Sequence, residues 1–308
     1  AGAPTVASRF VQRIAALAGE RWKEAKIRGE MYIAYAQALD TPADPPKPVP
    51  RPEPKLPAEG QPKQLSVTDV EHWLRDPYTI YAKHVLRLVP LDAVDTAPGA
   101  ADRGSVIHDG IGNFTKDFKT ALPADPEREL LARGEISFAP INDYPEAQAF
   151  WWPRFKRIAR WFADWERDRR ASLAEVHGEI RGTLPIQLGP HTFTLTARAV
   201  RIEKRQDGSY VIVDYKTGAP PTEPQVSTGL SPQLTLEGAI LRCGGFPDVA
   251  AGAIAEITYI RLRGGDPAGE TKPIKFRDGT PDSQADNALQ RLTGVAARFV
   301  VKGEPYRS

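Results

Sequence analysis

Nine prolines lie between Thr41 and Lys63, and this density determines how the chain can be divided. Proline fixes the backbone angle φ near about −65° and removes an amide donor, so neither a helix interior nor a central strand can run through this stretch. The prolines therefore predict an extended, semi-rigid linker over residues 41–64. We expect a helical N-terminal segment over residues 1–40 and one larger domain over residues 65–308. A proline-rich ligand for a partner domain is the alternative function of the stretch.

Composition removes several classes of protein. Cys243 is the only cysteine, which excludes a disulfide framework, a cysteine-based zinc site and a four-cysteine iron–sulfur cluster within the chain. No apolar run approaches the roughly 20 residues of a membrane helix, so a cytoplasmic setting is expected. The formal net charge is only +2, so nucleic-acid binding requires a local basic patch. The sequence begins at Ala1 and its only methionine is Met31, so it lacks an initiating methionine and we expect a segment of a longer protein.

Periodicity predicts helices and strands in a definite order after the linker. Ser66 and Asp69 form a helix-start pattern, and a second helical run follows Gly104. An aromatic helix is expected over residues 146–171, followed by three strands. A further helix, strand and helix complete the order, which predicts a mixed α/β domain with an antiparallel meander and one crossover. The expected later elements cover residues 175–187, 192–204, 210–215, 232–242, 253–262 and 283–301.

The apolar run from Val211 to Val213 ends in a pattern typical of phosphodiester chemistry. Strand alternation places the side chains of Asp214 and Lys216 on one face, while the carbonyl of Tyr215 remains available. A carboxylate can hold a divalent metal and a neighbouring lysine can orient or deprotonate the attacking water. The alternative is a surface ion pair.

Two other positions extend this pattern. His108 lies near the predicted start of the helix after Gly104, where it can ligate a metal or touch a phosphate. Gln233 and Glu237 lie one turn apart on the helix after Pro232, and Gln233 can position a nucleotide or hold Lys216. A structural histidine and a polar helix stripe are the alternatives.

The aromatic helix also carries many basic residues, and that combination can bind single strands through phosphate contacts and base stacking. The aromatic spacing instead favours one buried face with the charges in solvent. The basic residues are Arg154, Lys156, Arg157, Arg160, Arg167, Arg169 and Arg170.

Taken in order, three motifs resemble the RecB-type nucleases of the PD-(D/E)xK superfamily. They are Gly104 to His108, Asp214-Tyr215-Lys216-Thr217-Gly218 and Pro232-Gln233-Leu234. The branch to which the chain is most similar is the C-terminal nuclease region of AddB, a subunit of bacterial AddAB helicase–nucleases. The residues that carry this likeness are Leu65-Ser66-Val67-Thr68-Asp69, Asp76-Pro77-Tyr78 and Tyr259 to Gly265.

The resemblance implies a restriction-endonuclease-like α/β core, with a central mixed sheet flanked by helices. It also implies a Mg²⁺- or Mn²⁺-dependent deoxyribonuclease of exonuclease type, without an iron–sulfur cluster and without a membrane partner. Such a nuclease acts on double-strand ends and single strands during double-strand-break repair, together with an AddA-type subunit. The resemblance gives catalytic roles to Asp214, Lys216, His108 and Gln233, and weaker nucleic-acid contacts to Arg103 and Arg201.

One residue departs from the family pattern. Where the family usually reads Ala-Arg-Ala-Asp-Arg-Ile, this chain has Val200 in place of the metal-binding Asp. Valine offers no oxygen to a hard cation. The remaining ligands implied by the resemblance are His108, Asp214 and the Tyr215 carbonyl, with Glu175 favoured over Glu179 as a substitute acid. Three hypotheses follow: an impaired nuclease, an inactive module that binds DNA or the partner subunit, and an unrelated α/β binding domain.

Overall fold

The computed structural model describes residues 6–42, 44, 47–91 and 96–308, which fall into two compact units, Ala1–Pro50 and Arg51–Ser308. The first unit contains two helices, α1 (Arg9–Ala18) and α2 (Glu20–Asp40). Residues 1–5, 43, 45 and 46 belong to the expected N-terminal segment and linker and lie outside the described residues, as do residues 92–95.

The second unit is built on a six-stranded mixed sheet. A path of five strands runs β1-β3-β4-β5-β6, and β2 pairs with β3. The β2–β3, β3–β4 and β5–β6 pairs are antiparallel, whereas β1–β3 and β4–β5 are parallel. The strands are β1 (Gln64–Ser66), β2 (Leu173–Leu188), β3 (His191–Arg205), β4 (Tyr210–Lys216), β5 (Ile254–Leu262) and β6 (Gly269–Pro273).

Helices cover both faces of this sheet. One apolar cluster joins α3, α9 and α10 to the face that carries Ile212, and the other joins α5, α6 and α7 to the face that carries Val213 and Tyr215. Strand alternation produces this division, because neighbouring residues of β4 point to opposite faces. The helices of this unit are α3 (Val67–Arg75), α4 (Pro77–Ile80), α5 (Ala100–Asp117), α6 (Pro126–Phe138), α7 (Pro145–Arg170), α8 (Glu223–Ser227), α9 (Gln233–Arg242) and α10 (Pro281–Val300).

The expected α/β class, with a mixed sheet flanked by helices, is confirmed. The meander β2–β3–β4 and the crossover from β4 through α9 to β5 are both present. The Ser66 capping box also forms. The sequence prediction missed β1, β6, α6 and α8, of which the two strands are only 3 and 5 residues long and α8 is 5 residues long. No helix in the described ranges is long and apolar enough to cross a membrane.

Candidate functional site

The carboxyl end of β4 carries a partly buried ion pair. Asp214 is almost completely buried and its Oδ2 lies 2.7 Å from Nζ of Lys216, whose side chain is 32% exposed. The alternating strand brings both side chains to the face that α9 covers, as the sequence pattern predicts. Burial makes this different from the surface ion pair that was the alternative, because a carboxylate taken from water requires its partner.

Helix α9 continues the polar chain away from Lys216. Nζ of Lys216 lies 3.5 Å from Oε1 of Gln233, the limit of a hydrogen bond, and Nε2 of Gln233 donates to Oε1 of Glu237 at 3.2 Å. Gln233 therefore holds Lys216 loosely, in agreement with one of its expected roles. We call Asp214, Lys216, Gln233 and Glu237 the Asp214 cluster.

Glu237 is the member of this cluster whose importance the sequence did not reveal. Its side chain is fully buried, and burial, followed by the nearby Asp214 charge, raises its pKa well above the ordinary value. The fold therefore favours the neutral carboxylic acid over the carboxylate at this position. Among the described residues, Oε2 of Glu237 and Oδ2 of Asp214 have no partner in hydrogen-bond geometry, although the latter is the ion-paired oxygen. The cluster therefore contains a buried carboxyl oxygen, Oε2 of Glu237, for which the described residues supply neither a hydrogen bond nor an ion pair.

His108 approaches the same strand end from helix α5. Its ring centroid lies 6.2 Å from that of Tyr215, and a hydrogen bond joins it to the Tyr215 backbone. Burial lowers the pKa of His108 despite the opposing effect of Asp214, so the imidazole is neutral near pH 7. The expected position at a helix start is wrong, because α5 begins at Ala100 and places His108 more than two turns inside.

Position 200 lies where the β3–β4 pairing ends. The last pair is Arg201 with Val213, so Val200 and Asp214 are the next residues of their strands beyond it. Val200 is half-buried against the apolar cluster beneath α5 and α7. Position 200 therefore offers only methyl groups, packed against the cluster that also contains Val213 and Tyr215.

Glu179 is the acid that the fold brings to this region. It lies across β2–β3 from Val200, since its neighbours Gly178 and Ile180 pair with the residues on either side. A Cβ on Gly112 of α5 would come within 2.7 Å of its Oε1, so the carboxyl packs against the helix face one turn beyond His108. Burial raises the pKa of Glu179, opposed by Arg198 at 2.6 Å and supported by the Asp109 and Asp214 charges.

The preference for Glu175 is corrected. Its neighbour across the pair is Lys204, which pairs with Tyr210 at the beginning of β4. Tyr210 precedes Asp214 by four residues, so Glu175 lies about 13 Å from Asp214 along the strand direction. Glu175 instead approaches His177 and Lys204, at 3.3 and 3.9 Å.

Arg201 is also corrected as a nucleic-acid contact, because its side chain has no exposure to solvent. It forms two hydrogen bonds to Glu166 of α7 and donates from Nε to Glu203 at 2.7 Å and from Nη1 to Tyr215 at 3.3 Å. We call Glu166, Arg201 and Glu203 the Arg201 cluster, which joins α7 to the face of the sheet opposite the Asp214 cluster. Arg103 lies in the first turn of α5 and is half-buried.

The donors around Asp214 do not complete a site for a hard divalent cation. In the part of the chain that the structure describes, no group of three or more His, Cys, Asp or Glu side chains could hold a metal ion. Val200 supplies no oxygen, and Lys216 already neutralises Asp214. Magnesium requires several oxygen ligands in near-octahedral geometry, which this set lacks.

Comparison with known proteins gives a match over most of the chain. A family model described as "PD-(D/E)XK nuclease superfamily" matches residues 64–307, which include the whole sheet and both polar clusters. A crystal structure of SSO0001 shares 9% identity with a TM-score of 0.29, covering 75% of this chain and 77% of that one, and supports no conclusion.

Several curated relatives come from Rickettsia. An uncharacterized protein of Rickettsia bellii is 30% identical over 185 residues, and another, of Rickettsia typhi, is 30% identical over 190 residues. Each match covers 60% of this chain and 22% of the relative. The chain therefore spans about a fifth of the length of these relatives.

Proposed function

The chain belongs to the PD-(D/E)XK nuclease superfamily, and from this premise we propose that it is a DNA-end-processing nuclease domain with impaired hydrolysis. The family suggests a nuclease-type function, and nucleases of this superfamily typically use Mg²⁺ or a similar divalent metal. The observation that carries the proposal is that Asp214, Lys216, Gln233 and His108 assemble where the β3–β4 pairing ends, while Val200, the next residue of β3, has no oxygen to add.

The proposed roles follow from the surroundings of each side chain. Lys216 presents an ammonium at the sheet edge that can bind a phosphate oxygen or orient a water. Asp214 and Gln233 hold that ammonium from two sides. The neutral His108 donates its ring N–H to the Tyr215 backbone, so its other ring nitrogen can accept from a water. Glu179 replaces Glu175 as the acid proposed to support the site.

The proposed domain organisation and biological setting rest on the sequence motifs and not on the geometry of the site. We propose residues 65–308 as the nuclease-type domain, residues 41–64 as its linker and residues 1–40 as a separate helical segment. The motif resemblance supports work on double-strand breaks within a helicase–nuclease of the AddAB kind, with an AddA-type partner, in the cytoplasm. The relatives, about five times longer than their matched regions, are consistent with a larger assembly.

A second candidate function is a non-catalytic module that binds DNA or the partner subunit. The ion pair between Lys216 and Asp214 favours it, because a compensated carboxylate is a weaker cation ligand than a free one. In this case Lys216 keeps only its phosphate-binding role.

Replacement of Val200 separates these candidates. We expect Val200→Asp to raise Mg²⁺- or Mn²⁺-dependent cleavage of linear and single-stranded DNA by at least about tenfold, because a second carboxylate joins Asp214. Val200→Thr is the matched control, since it keeps the shape without a carboxylate. Calorimetric titration with Mg²⁺ should show tighter binding only in the aspartate variant.

The other outcomes are also decisive. Equal cleavage by the wild type and Val200→Asp would show that position 200 does not limit activity. Tighter Mg²⁺ binding without cleavage would favour the non-catalytic module. If Lys216→Ala leaves the cleavage by Val200→Asp unchanged, the role assigned to Lys216 is wrong.

A further inference from the structure

A groove of about 740 Å³ lies between helix α7 and the loop that follows β5. Three cationic side chains of α7 line it, together with the half-buried ring of Trp161 and two acids. These polar residues are Lys156, Arg157, Arg160, Asp164 and Asp266. The groove is on the outer side of α7, because the inner side of this helix packs its apolar residues against the sheet.

The cations of this groove are available to a ligand. Lys156 is exposed and has no ion pair within 4.0 Å among the described residues. Arg160 is 75% exposed and reaches Glu127 only at 3.3 Å, a pairing that water weakens. Nε of Arg157 donates to the Gly264 carbonyl at 2.6 Å, which fixes the guanidinium. Its two terminal nitrogens take no part in this bond and can donate to a ligand.

The two acids do not cancel these cations. Asp164 is already paired with Arg167 at 2.6 Å, so its charge is compensated outside the groove. With Arg160 counted as paired with Glu127 in the same way, Lys156 and Arg157 are the lining cations without an acidic partner among the described residues, and Asp266 is the one lining acid that opposes them. The groove has a positive balance, which favours an anionic ligand.

The groove lies at the end of the sheet where β4 and β5 finish, which is also the end that carries Asp214 and Lys216. Because β4 and β5 are parallel, Lys216 pairs with Arg261, whose Nε donates to the Gly218 carbonyl at 3.0 Å. Gly264 follows three residues later, about 10 Å along an extended chain.

Gly264 also fixes the loop against α7. Its φ is +64°, and an added Cβ would come within 2.8 Å of the Arg154 carbonyl oxygen. The loop after β5 therefore connects Arg261, the partner of Lys216 in the sheet, to the Gly264 carbonyl that Arg157 binds on the α7 side.

We propose that this groove holds the phosphate backbone of a nucleic-acid strand that also reaches Lys216 at the carboxyl end of β4. The inference rests on the proposed function for its ligand class, and it adds a binding track outside the reaction site. Repeated phosphates suit a row of separated cations, because each contact releases a counterion. Trp161 borders the groove with its ring stacked on Trp165 at a centroid distance of 6.2 Å, so the primary contacts assigned here are to phosphate.

The test measures DNA binding by fluorescence anisotropy in EDTA, where hydrolysis is suppressed. The full chain is titrated with a labelled 20-nucleotide single strand and with the duplex of the same sequence. The groove variant carries Lys156→Gln and Arg160→Gln. The matched control carries Lys275→Gln and Arg277→Gln, two exposed residues beyond β6, which runs away from the Lys216 edge.

We expect the groove variant to bind the single strand about tenfold more weakly than the wild type. The slope of log K against the logarithm of the salt concentration should become shallower by about 1.4, which corresponds to two lost phosphate contacts at about 0.7 each. The control should match the wild type, and both variants should retain the wild-type melting temperature.

Three results would overturn the proposal that the groove binds a nucleic-acid strand. One is equal affinity and salt dependence in the groove variant and the wild type, and another is the absence of DNA binding by the wild type. The third is polyglutamate binding as tight as that of the oligonucleotide, which would indicate an acidic protein segment. Cleavage by Val200→Asp is measured separately, so the proposed function can stand if the groove fails, and the reverse also holds.

Discussion

The two polar clusters of this domain lie on opposite faces of β3 and β4 and differ in how their charges are compensated. In the Arg201 cluster, each carboxylate contacts two guanidinium groups, since Arg170 also reaches Glu166 and Arg169 reaches Glu203, both at 2.8 Å. Among the described residues, the atoms beside it that lack both a hydrogen bond and an ion pair are the terminal donors of Arg170. In the Asp214 cluster the corresponding atom is Oε2 of Glu237.

This difference separates a structural role from a functional one. The paired cluster joins helix α7 to the sheet, and the ring of Trp165 lies 4.9 Å from the Arg201 guanidinium. The Asp214 cluster keeps a lysine whose side chain is 32% exposed, whereas Arg201 has no exposure to solvent. Of the two clusters, the Asp214 cluster is therefore the one whose cation a ligand can reach.

Loss of Arg201 should give the largest effect on stability. We expect Arg201→Met to lower the free energy of unfolding by about 3–5 kcal/mol, because it leaves Glu166 and Glu203 buried with weakened compensation. Urea denaturation followed by circular dichroism measures this change. Arg167→Ala is the control, since its pair with Asp164 is exposed and should cost less than about 1 kcal/mol. Similar losses in both variants would contradict the structural role of the cluster.

The equivalent change in the other cluster should cost less. We expect Lys216→Met to lower the free energy of unfolding by about 1–3 kcal/mol, because the Asp214 carboxylate loses its partner while the lysine was already partly in water. The same urea titration measures it. A loss as large as that of Arg201→Met would show that the two clusters are equally structural.

The smallest effect should be a change in pH dependence. Glu237 has a folded pKa well above its ordinary value near 4.5, so the folded state binds a proton that the unfolded state releases as the pH rises. The stability contributed by this group is therefore complete below that ordinary value and decreases at higher pH. Glu237→Gln keeps an oxygen for Gln233 and cannot ionise.

We therefore expect Glu237→Gln to match the wild type in stability near pH 4.5 and to exceed it increasingly as the pH rises above that value. Denaturation in urea at a series of pH values gives the comparison. A constant difference between the two proteins at every pH would show that Glu237 does not titrate as the fold indicates.

Local patterns predicted the elements that have strong internal signals. The apolar run Val211 to Val213, the Ser66–Asp69 capping box and the aromatic spacing of α7 each depend on residues close in sequence. The missed strands β1 and β6 contain few apolar residues, and their pairing depends on distant partners. The start of α5 was misplaced because Asp102 bonds back to the Gly99 amide at 2.7 Å, a cap that the glycine at 104 obscured.

The composition of the site was also partly accessible from sequence. Asp214, Lys216, Gln233 and His108 were found from motif order, and the fold brings them to one strand end. The choice between Glu175 and Glu179 could not be made, because both lie on β2 and only the pairing register distinguishes them. Burial of Arg201 was equally invisible, since a basic residue on a strand gives no sign that Glu166 of α7 covers it.

The sequence by itself determined the fold class, the family motifs and the absence of an oxygen ligand at Val200, because these depend on residue type and local order. The tertiary structure alone decided that Glu237 is buried beside Asp214, that Glu179 reaches α5 and that the basic residues of α7 face a groove at the Lys216 edge. Burial and juxtaposition depend on contacts between residues far apart in the chain, and those contacts set the charge state and accessibility of each group.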